Sequence, residues 1–280
     1  MPEGVLDHLH RARAGGADIR YLRVGHGTSI VLLHTLRTQL EYFGRLLEHL
    51  DTARVEAIAI DLPGHGESSA PAVDYTAGYF TDTVGELLDV CEVHDAVVVG
   101  ESIGGSIALG LAARRHPRVA KVVAVNPYDY GRWGGIRRSS RLANVLFTAM
   151  LWPVVGSVVA RTETKGILRR VLEGGLHDPA VLPPDLVEKL ARCGALPGHA
   201  GAFRSLCRHW RSWIDGRALY GAIDLPVTLV YGDDDWSRPA ERDANAHAIP
   251  RVRTVTLPNS GHFSSLERPR EIAQLIDELA

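Results

Sequence analysis

The sequence predicts an α/β fold in which a doubly wound, mostly parallel β-sheet carries an inserted helical cap. The first observation is that short β-branched and apolar runs alternate with segments of helical spacing, both before residue 131 and after residue 217. The second observation is that residues 131–217 have helical patterns without a strand signature. We therefore assign residues 1–130 and 218–280 to the two parts of one α/β core, and residues 131–217 to a helical cap.

The first part of the core contains most of the predicted strands. Residues 97–99 are three valines in a row, which is typical of a strand buried on both faces of a parallel sheet. Tyr42, Leu46 and Leu50 recur at helical spacing. Residues 1–17 are polar, with glycines near their end, and indicate a short helix or a loose lead-in. The predicted strands are 18–24, 29–34, 55–62, 97–99 and 119–125, and the predicted helices are 41–50, 76–93 and 106–115.

The second part of the core resumes the alternation, with strands at 226–231 and 252–257, a helix at 240–248 and a final helix at the C-terminal end. In open α/β sheets the chemistry lies at the carboxyl ends of the strands. We therefore expect a shared edge of the sheet to hold the polar residues that follow the first strands, namely His34, Asp61, Ser102 and Asn126.

The composition excludes several classes of function. Of the 280 residues, 45 % are hydrophobic, and the formal net charge is −2, so the chain can bury a large core and has no overall field that attracts nucleic acid. Cys91, Cys193 and Cys207 lack metal-ligand or redox spacing, which predicts free, buried thiols in a reducing compartment. The first residues lack the pattern of a secretory signal, so we expect a cytoplasmic location. No pattern requires a metal or an organic cofactor.

The segment Gly-Glu-Ser-Ile-Gly at 100–104 joins the buried valine strand to a helix of small residues. Strand, Gly-x-Ser-x-Gly and helix together form a nucleophile elbow, a turn so tight that the serine adopts a strained backbone conformation. Gly100 and Gly104 lack the Cβ atoms that would clash there. We expect the Ser102 hydroxyl to stand above the sheet, beside a helix N-terminus that favours negative charge.

A serine nucleophile needs a base to accept its proton and a third group to orient that base. His262 follows the last predicted strand in a short loop at the same edge of the sheet. Asp235 follows the strand before it, with Asp233 and Asp234 as neighbouring alternatives. The order serine, aspartate, histidine, each after its own strand, predicts a catalytic triad.

These motifs together resemble the α/β-hydrolase fold family, in particular its cap-bearing serine hydrolases, over most of the chain from residue 18 onward. The resemblance implies Ser102 as nucleophile, His262 as base and Asp235 as acid, with Asp129 as an alternative position for the acid. It argues against the dehalogenases and epoxide hydrolases of this fold, which carry aspartate in place of the serine. The motifs are Asp-Leu-Pro-Gly-His-Gly-Glu-Ser at 61–68, Gly-Glu-Ser-Ile-Gly-Gly at 100–105, Gly-x-x-Asp-x-x-x-Pro at 232–239 and Ser-Gly-His-Phe at 260–263.

The resemblance also implies an oxyanion hole built from the backbone N–H groups of Ile103 and Leu36. The family's usual His-Gly pair is His34-Thr35 here, so a β-branched residue stands where glycine is common. We interpret the 61–68 loop as a structural landmark, and its histidine, His65, as buried and hydrogen-bonded.

The predicted substrate pocket combines residues near the elbow with apolar and aromatic residues of the cap. Glu101, beside the nucleophile, is interpreted as a solvated or hydrogen-bonded neighbour and not as a catalytic acid. Trp133 contributes further aromatic surface to the cap. The predicted lining residues are His34, Thr35, Arg37, Glu101, Tyr128, Phe147, Met150, Leu151, Trp152, Trp236 and Phe263.

The cap has two further features. Residues 142–160 are mostly apolar and approach the length of a membrane span, but Asn144, Thr148 and Trp152-Pro153 interrupt them, so we expect a cap helix and no span. Residues 131–217 hold 14 Lys+Arg and 6 Asp+Glu, a charge of +8, which leaves −10 for the rest of the chain. These charges indicate either solvated faces or a basic rim that attracts anionic substrates. The cations flanking the apolar stretch are Arg137, Arg138, Arg141, Arg161, Lys165, Arg169 and Arg170.

The sequence thus predicts hydrolysis of an ester-like acyl bond, in a carboxylic ester or a thioester, through a Ser-His-Asp triad and an acyl-enzyme. The expected partner is a small acyl substrate, which is neutral, anionic or linked to a carrier, and neither nucleic acid nor a membrane span is expected. Two alternatives stay open. One is C–C bond hydrolysis or cofactor-free lyase chemistry with the same triad, and the other is a non-catalytic ligand-binding protein of the same fold. The acyl group, the leaving group and the oligomeric state are not encoded in any recognisable pattern.

Overall fold

A single sheet of eight strands forms the centre of the computed structural model, which describes residues 5–131, 135–161 and 164–280. In chain order the strands are β1 (Leu9–Ala14), β2 (Ala17–Gly25), β3 (Thr28–Leu33), β4 (Val55–Ile60), β5 (Ala96–Glu101), β6 (Val119–Val125), β7 (Val227–Gly232) and β8 (Val252–Leu257). Their order across the sheet is β1-β2-β4-β3-β5-β6-β7-β8.

Most neighbouring strands run parallel. β2 is antiparallel to both β1 and β4, and every pair from β4 through β3, β5, β6 and β7 to β8 is parallel. All six residues of β5 are buried, as expected for a run of β-branched residues at the centre of a parallel sheet. The predicted mostly parallel sheet is therefore confirmed.

The strand β1 lies in the segment for which the sequence indicates a short helix or a loose lead-in. Gly15 and Gly16 connect it to β2, and their φ angles of 56° and 73° are those of a two-residue turn that glycine favours. Ala14 pairs with Ala17 directly across this turn. The strand escapes a pattern-based prediction because it is an edge strand whose side chains do not alternate cleanly between buried and exposed.

Helices cover both faces of the sheet, which makes it doubly wound. The α-helices, in chain order, are α1 (Gly44–Leu47), α2 (Ala77–Val90), α3 (Ile103–Ala113), α4 (Arg141–Met150), α5 (Val155–Arg161), α6 (Lys165–Glu173), α7 (Pro184–Gly194), α8 (His199–Arg208), α9 (Trp210–Asp215), α10 (Pro239–Ala248), α11 (Ser264–Glu267) and α12 (Pro269–Asp277). Short 3-10 helices occupy Val5–His8, Leu40–Phe43, Gly135–Arg138, Pro179–Val181 and Gly216–Ala222.

The alternation of side chains along β5 shows how the two layers are held. Val98 packs in a cluster with side chains of α2 and α3. Val97 and Val99 pack on the opposite face with side chains of α1 and α12. The helix predicted at 41–50 is in fact divided between a 3-10 turn and α1.

The helices α4 to α9 lie between β6 and β7, within the segment predicted as the cap. The insertion has a small apolar core of its own. Among the described residues, no helix is both long enough and apolar enough to cross a membrane. The apolar stretch at 142–160 is divided, because α4 ends at Met150 and α5 begins at Val155. The residues of the insertion's core are Ile136, Ala143, Phe147, Met150, Val171, Phe203 and Cys207.

A buried ion network fixes the loops at the carboxyl ends of β3 and β4. Arg20 on β2 donates from Nε to Asp61, at 2.7 Å, and from Nη2 to Glu41, at 2.8 Å. Asp61 also accepts the backbone N–H groups of Leu40, at 2.7 Å, and of Glu67, at 2.9 Å. Burial raises the pKa of Asp61 to about 6, although Arg20 opposes the shift. The network depends on Arg20, because both carboxylates are buried beside this one cation.

We expect the substitution Arg20→Met to lower the free energy of unfolding by about 3–5 kcal/mol at pH 7, since it leaves buried carboxylates without their counter-ion. Denaturant unfolding followed by tryptophan fluorescence measures the loss.

Arg23→Met is the matched control, because Arg23 lies on the same strand and pairs with Glu56 at 2.7 Å, but its side chain is 32 % exposed. We expect this variant to lose at most about 1 kcal/mol. Equal losses for the two variants would contradict the role of the buried network.

Candidate active site

Ser102 lies at the tight turn between β5 and α3, with φ of 57° and ψ of −116°. Residues other than glycine rarely adopt this conformation, so the surrounding structure must hold it in place. The neighbouring glycines allow the close approach. A Cβ atom on Gly100 would lie 2.1 Å from the carbonyl oxygen of Gly104, and a Cβ atom on Gly104 would lie 2.1 Å from that of Leu33. Larger residues at 100 or 104 would therefore break the turn.

Ser102, His262 and Asp235 form a continuous chain of hydrogen bonds. Nε2 of His262 lies 2.9 Å from Oγ of Ser102, and Nδ1 lies 2.5 Å from Oδ1 of Asp235. Each of the three residues is at most 8 % exposed. With its Nδ1 proton donated to the carboxylate, the imidazole presents Nε2 as an acceptor to the serine hydroxyl.

The surroundings of Asp235 keep it ionised and oriented. Burial alone would raise its pKa, but His262 and the hydrogen bonds from Ser237 outweigh burial and hold the pKa below its usual value. Ser237 donates both its backbone N–H, at 2.9 Å, and its hydroxyl to Oδ2. The ring of Trp236 stacks on His262 with centroids 4.0 Å apart. Ser237 escapes prediction from sequence because serine is common in turns of this kind.

The loop that carries His262 is held from two sides. From the sheet, the side-chain amide of Asn126 donates to the carbonyl oxygens of Gly261, at 3.2 Å, and of His262, at 3.0 Å. The amide oxygen of Asn126 accepts the N–H of Gly232 at 3.0 Å, so one side chain joins the ends of β6 and β7 to the loop. From the insertion, the carbonyl oxygen of Gly175 accepts the N–H of His262 at 2.7 Å. Neither contact follows from the sequence, since both depend on tertiary packing.

The three alternative acids lie elsewhere. Asp129 is buried and accepts hydrogen bonds from Tyr220 and Asn245, each at 2.9 Å. Asp233 accepts backbone N–H groups of the loop before the histidine. Asp234 forms an ion pair with a histidine of the insertion. The carboxylate that contacts the imidazole in this structure is therefore the one at position 235.

The loop after β3 is fixed by a neutral histidine. His34 donates from Nδ1 to the carbonyl oxygen of Thr35, at 2.8 Å, and accepts the N–H of Leu62 at Nε2, at 3.0 Å. Burial lowers the pKa of His34 to about 4, so the ring is uncharged at neutral pH. The left-handed position in the loop is Arg37, with φ of 61°, and not Thr35. A β-branched residue is therefore tolerated at 35, and Leu36 lines the same cavity as Ser102.

Two small cavities lie between the elbow and the insertion. The cavity above Ser102 has an accessible volume of about 10 Å³, room for about one water molecule. The second measures about 20 Å³, and Leu36 and Tyr128 line both. Both cavities are far smaller than the usual binding site of a small molecule. The other lining residues are Thr35, Ile103, Ile136, Trp236, His262 and Phe263 in the first cavity, and Arg137, Phe147, Leu151, Leu206, Cys207 and Trp210 in the second.

Six of the eleven predicted lining residues border one of these two cavities. Predicted residues line the first cavity at Thr35, Tyr128, Trp236 and Phe263, and the second at Phe147 and Leu151. The sequence missed Ile136, Leu206, Cys207 and Trp210, because the face of a cap helix that points inward depends on how the helices pack.

Five predicted lining residues lie outside both cavities. His34 and Glu101 are buried below them, and Met150 packs inside the core of the insertion. Trp152 is 61 % exposed, because the turn between α4 and α5 carries it to the outer surface. Arg37 lines a separate cavity of about 420 Å³ beside α7 and α8. Position 133 lies outside the described residues.

Glu101, the residue before Ser102, is a buried carboxyl group. It accepts a hydrogen bond from the hydroxyl of Tyr42 at 2.7 Å and a longer one from the N–H of Ser265 at 3.3 Å. Burial raises its pKa to about 7. Glu101 thus connects β5 to α11, the helix that follows His262.

Comparison with known proteins points to one family. The family profile for the alpha/beta hydrolase fold matches residues 28–269. The chain is 28 % identical to the dihydrolipoyllysine-residue acetyltransferase component of the acetoin cleaving system of Cupriavidus necator, over 95 % of this chain and 67 % of that protein. It is 25 % identical to the 2-hydroxymuconate semialdehyde hydrolase of a Pseudomonas species, over 79 % of this chain and 75 % of that one.

Among solved structures, the enol-lactonase from Burkholderia xenovorans LB400 is similar, with a TM-score of 0.77. The two are 24 % identical, and the alignment covers 96 % of this chain and 98 % of that one. This similarity establishes a shared fold.

The buried Glu101 leads to a prediction about pH and stability. Its pKa of about 7 in the folded protein lies above the ordinary value of 4.5, so the folded state holds the proton more tightly than the unfolded state. Below pH 4.5 Glu101 therefore makes its full contribution to the free energy of unfolding. As the pH rises from 4.5 to 7 this contribution is lost, which lowers the free energy of unfolding by up to about 3 kcal/mol. Glu101→Gln removes this titration, so we expect the variant to gain stability relative to the wild type as the pH rises.

Thermal unfolding midpoints of both proteins between pH 5 and pH 8 test this expectation, with Glu48→Gln, at an exposed glutamate, as the control. A difference between Glu101→Gln and wild type that stays constant with pH would contradict it.

Proposed function

Since this chain belongs to the α/β-hydrolase fold family, we propose that it is a serine hydrolase that cleaves a carboxylic ester or thioester through an acyl-enzyme. The observation that carries the proposal is the hydrogen-bonded chain from Ser102 through His262 to Asp235, with distances of 2.9 Å and 2.5 Å. Serine, imidazole and carboxylate in this order supply a nucleophile, a general base and an orienting acid.

In the first step, Oγ of Ser102 attacks the carbonyl carbon of the substrate while Nε2 of His262 accepts the hydroxyl proton. The new C–O bond places a negative charge on the former carbonyl oxygen. Asp235 stabilises the imidazolium through Nδ1, and its lowered pKa supports this role because the carboxylate stays ionised.

The backbone N–H groups of Leu36 and Ile103 are proposed to hold the oxyanion, since both residues line the cavity above the nucleophile. Ile103 is also the first residue of α3, where the helix dipole favours negative charge. When the tetrahedral intermediate collapses, the leaving alcohol or thiol takes the proton from Nε2. Water then attacks the acyl-enzyme with the same base, and the acid is released.

We infer that the insertion moves during turnover, because both cavities near Ser102 are too small to hold an acyl substrate. Thr35, Ile136 and Phe263 surround the nucleophile with apolar surface, which excludes bulk water and strengthens the interactions of the charged groups. We infer that the apolar part of the acyl group enters between Leu36 and Tyr128, which separate the two cavities.

The contacts of the arginines that flank the apolar stretch support the proposed basic rim only in part. Arg138 pairs with Glu241 of the core, at 2.7 Å, and Arg169 pairs with Glu173 on its own helix, also at 2.7 Å. Arg137 instead lines the second cavity. An anionic or carrier-linked substrate would therefore meet Arg137 inside the protein, and the outer arginines would serve another purpose.

C–C bond hydrolysis is the second candidate, because one relative is a 2-hydroxymuconate semialdehyde hydrolase. The same triad would serve either reaction, so the products decide between them. An ester yields an acid and an alcohol, whereas a β-diketone yields an acid and a ketone. A protein that only binds ligands would form no products and would not react with a fluorophosphonate probe.

We expect Ser102→Ala to lose nearly all turnover while keeping the wild-type unfolding midpoint, because the turn needs the backbone conformation and not the hydroxyl. The residual rate should be roughly 10³-fold over water, from the oxyanion hole and binding alone. Initial rates on a panel of acyl esters measure it, and activity within about tenfold of the wild type would refute a serine nucleophile.

We expect Asp235→Asn to reduce kcat by about 10⁴, since an amide at this position stabilises the wrong tautomer of His262. Asp129→Asn is the matched control, because that carboxyl group is equally buried but bonds to Tyr220 and Asn245. A large loss of kcat in the control with little loss in Asp235→Asn would reverse the assignment of the acid.

A further inference from the structure

The outer face of the insertion is rich in exposed apolar side chains. Ten large hydrophobic residues are substantially exposed in the described part of the chain, and six of them fall within positions 142–158. Soluble surfaces usually scatter such residues singly, so a cluster marks a contact surface. We call this cluster the cap patch, and it consists of Leu142, Val145, Trp152, Val154, Val155 and Val158.

The packing of α4, α5 and the turn between them holds the residues of the cap patch at the surface. On α4, Phe147 and Met150 point into the core of the insertion, whereas Val145 on the opposite side is 65 % exposed. α5 packs closely against the end of α4, since a Cβ atom on Gly156 would lie 2.2 Å from the carbonyl oxygen of Met150. The turn between them is braced by Arg204, whose guanidinium donates to the carbonyl oxygen of Pro153 at 2.7 Å. The exposure of Trp152 and Val154 is therefore imposed by the packing.

Charge identifies the kind of surface that the cap patch would meet. Residues 135–161 contain four arginines and no aspartate or glutamate, and the exposed Arg141 and Arg161 flank the patch residues in the sequence. The whole insertion at 131–217 carries +8 and the rest of the chain −10. Such a separation of charge turns the insertion toward an anionic surface. It also disfavours contact between the patches of two copies, because two positively charged insertions would repel.

We propose that the cap patch docks this protein onto an anionic lipid surface. Trp152 and the valines of the patch enter the interfacial region, where an aromatic ring with a polar edge is favoured, and the exposed Arg141 and Arg161 meet lipid phosphates. The protein lies on the surface and does not span it, in agreement with the lengths of α4 and α5. Phe147, on the inner side of α4, lines the second cavity, which shares Leu36 and Tyr128 with the cavity above Ser102, so docking would act on an element next to the proposed site.

Co-sedimentation of the full chain with vesicles tests the proposal. We expect the wild type to bind vesicles of equimolar phosphatidylcholine and phosphatidylglycerol, to bind phosphatidylcholine alone weakly, and to be released by salt. The triple variant V145S/V154S/V158S should lower the partition coefficient by at least about tenfold, because it removes apolar surface and leaves every charge in place.

The variant V73S/V90S is the matched control, since both valines are exposed but lie outside the insertion. It should bind vesicles as the wild type does, and all variants should keep the wild-type unfolding midpoint. The proposal is overturned if the wild type binds neither vesicle, if it binds both equally, or if the triple variant binds as well as the wild type. A wild-type dimer that dissociates in the triple variant would overturn it in favour of a second copy on the patch.

Discussion

The close backbone contact at the elbow is the constraint on which the rest of the site depends. Neither Gly100 nor Gly104 could carry a Cβ atom, because Gly100 faces the carbonyl oxygen of Gly104 on α3 and Gly104 faces that of Leu33 on β3. This close packing holds Ser102 at its positive φ of 57°. That conformation fixes the direction of the hydroxyl, and the first turn of α3 then lies beside it. The histidine and aspartate loops have to be brought to this point, and Asn126 does so by joining the ends of β6 and β7 to the loop that carries His262.

The buried carboxyl groups of this structure differ in the direction in which their pKa values are shifted. Asp235, Asp129 and Glu101 are all fully buried, and burial raises the pKa of each. Asp235 accepts a hydrogen bond from His262 and two from Ser237, and these contacts outweigh burial. Asp129 and Glu101 also accept hydrogen bonds, but none from a histidine, and burial prevails at both. Hydrogen bonds from neutral donors do not by themselves offset burial here, whereas the direct bond to the imidazole adds charge attraction.

The parts of the structure that were predictable from sequence are those with a local physical cause. Alternating strand and helix patterns predicted the sheet, and the glycines around Ser102 predicted the elbow, because a steric requirement restricts the residue types there. The hairpin of β1 was missed because its signal is two glycines beside a weakly alternating edge strand. The counter-ion Arg20 and the donor Ser237 were missed because ordinary residue types acquire these roles from neighbours distant in sequence. Trp152 was misplaced since composition indicates an apolar helix but not which side of it faces the site.

The insertion makes direct contacts with the two loops that carry Asp235 and His262. Gly175 accepts the N–H of His262 at 2.7 Å, and the indole Nε1 of Trp236 donates to the carbonyl oxygen of Gly174 at 3.3 Å. Separating this part of the insertion from the sheet would displace the proposed base. By contrast, α4 packs chiefly against Gly135–Arg138, α5 and α8, all within the insertion. The contacts at 174–175 therefore tie that part of the insertion to the loop of His262, whereas α4 makes most of its contacts within the insertion.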